Sequence, residues 1–325
     1  MLPSPLSALP LRLLSALGRE GTRAVALSIV IGLVIPPLAS LAKPLLTPLV
    51  YVMMVASFMR TDLARLRTGR GLGLAVLAVV WIMGLAPALL ATVLALGVPV
   101  SDPDILLAIV LQVSAPPIMA GPAFAILLGL DPTLPLLVMV LAMLVTPLSA
   151  PAIVHALSGA ALDLDPLTLT VRLALVLAGT AAVGFGLRTL IGPARLTRWR
   201  APMDGVNVIL LALMAVAFMD GITRQFIAEP IRLLGISALA FTVSFGALAA
   251  GGLLFRLFAP ADQALMIGFS SGLRNMMMLI AAAGGAIPDT TWLYVGLAQF
   301  PIYLLPYFMK PVANLIHRHD ARTGS

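Results

Sequence analysis

The chain has 325 residues, 61% of them hydrophobic and only 10% charged, with a mean hydropathy of +1.08. A water-soluble domain of this length cannot bury so much apolar surface, so the composition asks for lipid as solvent. The formal charge of +7 comes from Arg in short loops between apolar runs, with no basic stripe interleaved with aromatics, which excludes nucleic acid as a partner.

Residues 1–22, MLPSPLSALPLRLLSALGREGT, are too short and too interrupted by Pro to span, and are expected to lie along the membrane interface. Apolar runs of the roughly 20 residues that a bilayer demands then begin near Arg23, Pro44, Gly71, Asp104, Thr133, Pro166, Met203, Ile231, Pro260 and Thr290. Taking Arg23 to Ala42 as a signal peptide, with Ser40-Leu41-Ala42 as its cleavage site, is set aside because its removal breaks the pairing of the two halves. The runs form a first five-helix repeat, 23–157, a second, 158–316, and a cytoplasmic tail, 317–325.

Charge sets the expected orientation. With a cytoplasmic N-terminus, the inner segments hold Arg12, Arg19, Arg23, Arg60, Arg65, Arg67, Arg70, Arg188, Arg195, Arg198, Arg200, Arg256, Lys310, Arg318 and Arg322. The outer side keeps Lys43, Arg172, Arg224 and Arg232 and gathers Asp102, Asp104, Asp163, Asp165, Glu229 and Asp289. Both termini are therefore expected in the cytoplasm of a multi-pass protein of the inner cell membrane.

The fourth run carries Pro116-Pro117 and then Gly121-Pro122 at its middle, and the ninth carries Ser270-Ser271-Gly272. Proline lacks an N–H and clashes with the preceding turn, so a helix does not pass through the first stretch intact. An odd number of spans per repeat inverts the second copy, which puts the two interruptions at equivalent places. Paired interruptions of this kind point to a transport site, because freed backbone groups must line a cavity or bind something.

Arg274 lies deep in the ninth run, where a charge costs at least about 2.5–3.5 kcal/mol, so it faces protein or water. Its planar fork suits a carboxylate or sulfonate, the alternative being a buried ion pair that joins two helices. Asp131, Asp204, Asp220 and Asp262 all read as near-interface and offer it no partner at its depth. Asn275 adjoins it, with an amide that either serves loose backbone at the break or caps the helix that follows. Gln112 faces the cavity or a neighbouring helix. Ser114, Pro116, Pro117, Met119 and Gly121 of the fourth run, Thr146 of the fifth, and Ser270, Ser271 and Gly272 of the ninth complete the candidate substrate site. Met276-Met277-Met278 reads as adaptable packing, and Trp81, Trp199, Trp292, Tyr294, Tyr303 and Tyr307 as interfacial anchors or packing. Without cysteine, and with only His155, His317 and His319 near helix ends or in the tail, no metal site, cofactor or enzymatic centre is expected.

From about Arg23 to Ala313 these features resemble the bile acid:sodium symporter family in its bacterial ten-helix form. The family's Cys-Pro-Gly-Gly-Thr-Ala-Ser-Asn is similar to Ala115–Pro122 here, and its Thr-Ser-Pro-Leu-x-x-Pro to Thr146–Pro151. Its Glu-x-Gly-x-Gln-Asn is similar to Ser270–Asn275, and its Asp before the ninth helix matches Asp262. An auxin-efflux-like carrier shares the broken helices, but neither break here carries its Asn-Pro. The resemblance implies a panel-like bundle, a core bundle with crossed helices, and alternating access by rocking. It also implies sodium ligands where this chain has Ser270, Arg274, Gly121 and Pro122. None of these is a carboxylate, and a sodium ion ~4 Å from Arg274 is repelled by about 4 kcal/mol at an effective dielectric of ~20. The expectation is an all-α membrane protein of about ten helices that carries a small organic anion without sodium at the crossing, Arg274 supplying the ion's charge. The alternatives are a symporter coupled to sodium or protons through other ligands, and a membrane sensor or structural protein that transports nothing. The lipid bilayer is the other expected partner, and the oligomeric state is left open.

Overall fold

The computed structural model describes residues 5–19, 21–61, 71–97, 100–158, 165–284 and 287–323. Arg65, Arg67, Arg70 and Asp163, which contribute to the charge asymmetry, lie outside them, as do the side chains of Arg19, His317, Arg318, His319 and Arg322. The described residues are all-helical, in the order α1 Pro5–Arg19, α2 Gly21–Val34, α3 Pro36–Arg60, α4 Leu72–Ala95, α5 Pro103–Ser114, α6 Gly121–Leu127, α7 Thr133–Ser158 and α8 Pro166–Ile191. There follow α9 Pro193–Arg198, α10 Arg200–Phe218, α11 Ile222–Ala228, α12 Pro230–Arg256, α13 Ala261–Gly272, α14 Met276–Ala282 and α15 Asp289–Thr323. Six helical stretches among the described residues are long and apolar enough to cross a membrane: α3, α4, α7, α8, α10 with α11, and α12. Their outward side chains need lipid; Ile231 is 86% and Leu190 81% exposed. The molecule is a membrane protein in class.

Two boundaries differ from those read in the sequence. The first run does not continue to Ala42: α2 stops at Val34, Ile35 leaves the helix (φ −119°, ψ 73°), and α3 starts at Pro36. Pro36 disfavours the helical conformation for the residue before it, and Pro36-Pro37 then sits in the first turn, where no N–H is missed. Neither boundary concerns the N-terminal segment, within which Pro5–Arg19 form one helix through Pro10, packed along α10, since a single Pro removes one hydrogen bond without ending the helix. The last helix runs on to Thr323, so residues 317–323 of the expected tail are helical.

The chain forms two compact units, and the halves 23–157 and 158–316 each contribute to both. One unit holds Met1–Thr61 with Ala178–Leu233. In it α10 packs against α1, α2 and α3. Gly205 touches the backbone at Leu14, and Gly32 packs on Met219 and the Val216 carbonyl. Two of the acids expected near the interface are paired here. Asp204 binds Arg60, and Asp220 binds Lys43 at 2.9 Å and accepts from Ser40 at 2.6 Å.

The other unit holds Asp62–Leu177 with Leu234–Ser325. Here α7 packs against α4, α5, α6 and α13, and α15 against α5 and α13. α5 begins at a built cap, with the Asp102 carboxylate accepting from the Asp104 amide at 2.9 Å and Pro103 in the first turn. α7 stays helical through Pro147 and Pro151, each of which removes a single backbone donor.

Candidate functional site

Where α7 tolerates separated prolines, the fourth run breaks, because Pro116 and Pro117 are adjacent. Each biases the residue before it toward extended backbone, so Ala115 and Pro116 leave the helix in succession; Ala115 has φ −69° and ψ 148°. α5 therefore ends at Ser114 and α6 resumes at Gly121. In the ninth run α13 ends at Gly272, Leu273 is extended (φ −97°, ψ 102°), and α14 resumes at Met276.

The two breaks satisfy each other. Pro117 and Arg274 form an antiparallel bridge, flanked by the Ile118 amide donating to the Leu273 carbonyl at 2.9 Å and the Asn275 amide donating to the Pro116 carbonyl at 2.8 Å. Backbone that has left a helix in an apolar surrounding needs such partners. The cost is passed on. Within α13 the Ser271 carbonyl would accept from the amide of Asn275 four residues on, and that amide is now diverted. Ala115 likewise has an extended residue after it and no helical donor.

The guanidinium of Arg274, 3% exposed, fills that need. Its Nε donates to the Ser271 carbonyl at 2.7 Å and its Nη1 to the Ala115 carbonyl at 2.9 Å. Its Nη2 donates to the Ile82 carbonyl of α4 at 3.1 Å, and the Met83 sulfur lies 3.9 Å from Nη1. The cation is held by three carbonyls from three elements. Among the described residues no carboxylate lies within ion-pair distance of it. Asp131 caps α7 through the Thr133 amide (2.9 Å), Asp262 stands in the first turn of α13, and Asp204 and Asp220 belong to the other unit. Of the two pairings read in the sequence, the buried ion pair is absent among the described residues. The fork also has carbonyls where an anion was expected, so it offers an anion its charge and little of its donor geometry.

The other candidates fall into two groups. Ser114, Thr146, Ser270 and Ser271 are buried, and each hydroxyl donates to the carbonyl four residues back in its own helix, at 2.7, 2.7, 3.0 and 2.8 Å. Ser271 also accepts from Trp81 Nε1 at 3.1 Å, so that indole is an internal strut and not an interfacial anchor. Gln112, 2% exposed, donates to Ser244 Oγ at 2.9 Å and accepts from the Tyr294 hydroxyl; it faces neighbouring helices, not a cavity. Gly272 packs against the Ser244 carbonyl of α12. The second group is half-buried: Ile118, Met119, Gly121, Pro122 and Asn275, with Pro116 and Pro117 buried behind them. Asn275 stands at the start of α14 without capping it. Among the described residues its side chain makes no hydrogen bond to the break, where only its backbone amide is engaged, so neither role expected of the side chain is present. Its side-chain amide is the polar group that the accessible side of the break presents.

The π-turn of α4, Trp81–Leu85, has no counterpart in the sequence reading. Its signal was Pro87, an interior proline in an otherwise featureless apolar run. No model of a known protein family matches the chain, and a search of curated proteins finds no significant match.

Proposed function

We propose that the protein is a secondary transporter of a small organic anion, a carboxylate or sulfonate, working by alternating access at the paired breaks. On this reading ten spans form two inverted five-helix repeats, with both termini in the cytoplasm of an inner-membrane protein related to the bile acid:sodium symporter family. Support comes chiefly from one observation: a buried guanidinium at the junction of two broken helices, neutralised by no carboxylate among the described residues. Its positive charge acts at short range in a medium of low dielectric, where an anion entering beside Asn275 is attracted strongly. The charge is permanent, so no sodium is required at this place. Asn275 contacts the anion directly, and Ile118, Met119 and Pro122 border its apolar part.

Proteoliposomes carrying the purified protein should accumulate a labelled organic anion from a panel of carboxylates and sulfonates, at a rate indifferent to a sodium gradient. Arg274→Lys should keep part of that uptake and Arg274→Gln should lose it, since the charge is what attracts the substrate. Saturable binding without flux would instead mark a sensor, and uptake that needs sodium would remove the assigned role of Arg274.

A further inference from the structure

We infer that Pro87 is a positioning residue for Arg274, acting through a single carbonyl that it keeps unpaired. The inference concerns how the cation is held and goes beyond what is carried across the membrane. In a regular helix the Ile82 carbonyl accepts from the amide of Ala86. In α4 the Ala86 amide reaches one residue further back, to the Trp81 carbonyl, in the π-turn Trp81–Leu85. In the same π register the donor next in line for Ile82 is residue 87, which in a regular helix would serve Met83, and proline has no N–H for either. The Ile82 carbonyl is thus orphaned twice over, by the shift of one amide and the absence of the next. It is fully buried and accepts from Arg274 Nη2 at 3.1 Å. π-Turns of this kind recur at functional sites because they aim a carbonyl outward from the helix.

The same logic accounts for all three partners of the guanidinium. Ser271 loses its donor to Pro116, Ala115 loses its donor to the break, and Ile82 loses its donor to Pro87. Two of these follow from the paired breaks. The third comes from a span that is unbroken, and Trp81 ties the same turn to Ser271 at 3.1 Å. Pro87 therefore makes α4 a third member of the site.

The test compares three residues at position 87: Pro, Ala, and the α-hydroxy analogue of alanine introduced by nonsense suppression. The last makes a backbone ester and, like Pro, has no N–H. Purified proteins are treated with a small dicarbonyl arginine reagent, and modification of Arg274 is read by peptide mass spectrometry against exposed Arg198. Pro87→Ala should raise the modification rate of Arg274 by about tenfold or more, as a locally opened site does, while the ester variant stays protected. In an Arg274→Gln background the sign of Pro87→Ala should reverse. There it repairs an orphaned carbonyl and raises the thermal midpoint, whereas with Arg274 present it lowers it. An alanine variant that fails to fold beside an ester variant that folds with Arg274 protected also supports the inference, because the ester lacks the N–H and otherwise only weakens the Ala86 carbonyl as an acceptor, a change that cannot itself protect Arg274. Equal protection in all three, equal loss in alanine and ester, failure of both to fold, or a midpoint lowered equally in both backgrounds overturns it.

Discussion

In an Arg274→Ala variant, sodium is expected to raise the thermal midpoint, where in the wild-type protein it leaves the midpoint unmoved. The wild-type site is a cage of three buried carbonyls already filled by a tethered cation. A sodium ion at ~4 Å from that guanidinium meets about 4 kcal/mol of repulsion at an effective dielectric of ~20. Truncation to Ala removes the charge and leaves three carbonyls without donors, each costing about 1–3 kcal/mol if nothing replaces the guanidinium. Oxygen ligands from three directions, with no competing cation, then suit a small monovalent ion or free guanidinium. A ligand at ~100 times its dissociation constant contributes about 2.7 kcal/mol to the stability of the native state. Arg274→Lys keeps the charge and should therefore remain blind to sodium. Anion binding should follow the same pattern: sodium-independent in the wild type, weaker in Arg274→Ala by up to about 4 kcal/mol, the attraction of a unit charge ~4 Å away at an effective dielectric of ~20, and partly restored by sodium or guanidinium. A cation response in the wild type, or none in Arg274→Ala, would show that the cage is only a structural clamp.

Much of this site was legible in the sequence because its signals were categorical. Adjacent prolines at 116 and 117 cannot lie in a continuous apolar helix, and Arg274 cannot lie in one unnoticed. The ninth run has no interior proline, and its break is read from Ser270-Ser271-Gly272 as lying within Ser270–Asn275; the structure unwinds the last three of those residues, Leu273–Asn275. What the sequence left hidden was who answers to whom. Carbonyl acceptors have no side-chain signature, so the partners of Arg274 were sought among Asp residues and found in backbone. Ser114, Thr146, Ser270 and Ser271 looked like ligands, yet a buried hydroxyl in an apolar helix satisfies itself on the preceding turn first. The π-turn at Trp81–Leu85 was invisible for a related reason. Pro87 frees a carbonyl wherever it stands in a helix, but only the fold says whether a donor waits for it. The misread span boundary lies at a proline pair: Pro36-Pro37 restarts a helix, whereas Pro147 and Pro151 are passed through, as the unbroken fifth run expects.

The second large effect is expected at the glycines that let α12 and α13 approach at backbone distance. A Cβ on Gly268 would stand 2.7 Å from the Leu248 carbonyl and 3.2 Å from the Gly252 Cα. A Cβ on Gly272 would stand 2.5 Å from the Ser244 carbonyl and 3.0 Å from the Leu248 Cβ. The atoms in the way are mostly backbone, so neither clash is relieved by turning a side chain. The helices must separate instead. Helix pairs in lipid gain little from the hydrophobic effect and depend on this close packing of small residues, so separation removes much of what holds them. Gly268→Ala and Gly272→Ala should each lose about 1–3 kcal/mol of stability, the range for overpacked sites. Gly246→Ala, on α12 with nothing within 4 Å of the new methyl, should be neutral or gain up to about 1 kcal/mol from helix propensity. Gly272 carries a further consequence because it adjoins Ser271, whose carbonyl holds Arg274 Nε at 2.7 Å. Moving the end of α13 away from α12 shifts that carbonyl, so Gly272→Ala should also expose Arg274 to a dicarbonyl reagent, while Gly268→Ala, a full turn earlier, should not. Thermal unfolding in detergent reads the first effect and peptide mapping the second. If Gly268→Ala and Gly246→Ala prove equally stable, α12 and α13 do not pack through their glycines. If the two buried variants expose Arg274 alike, the cage responds to general loosening and not to the position of the Ser271 carbonyl.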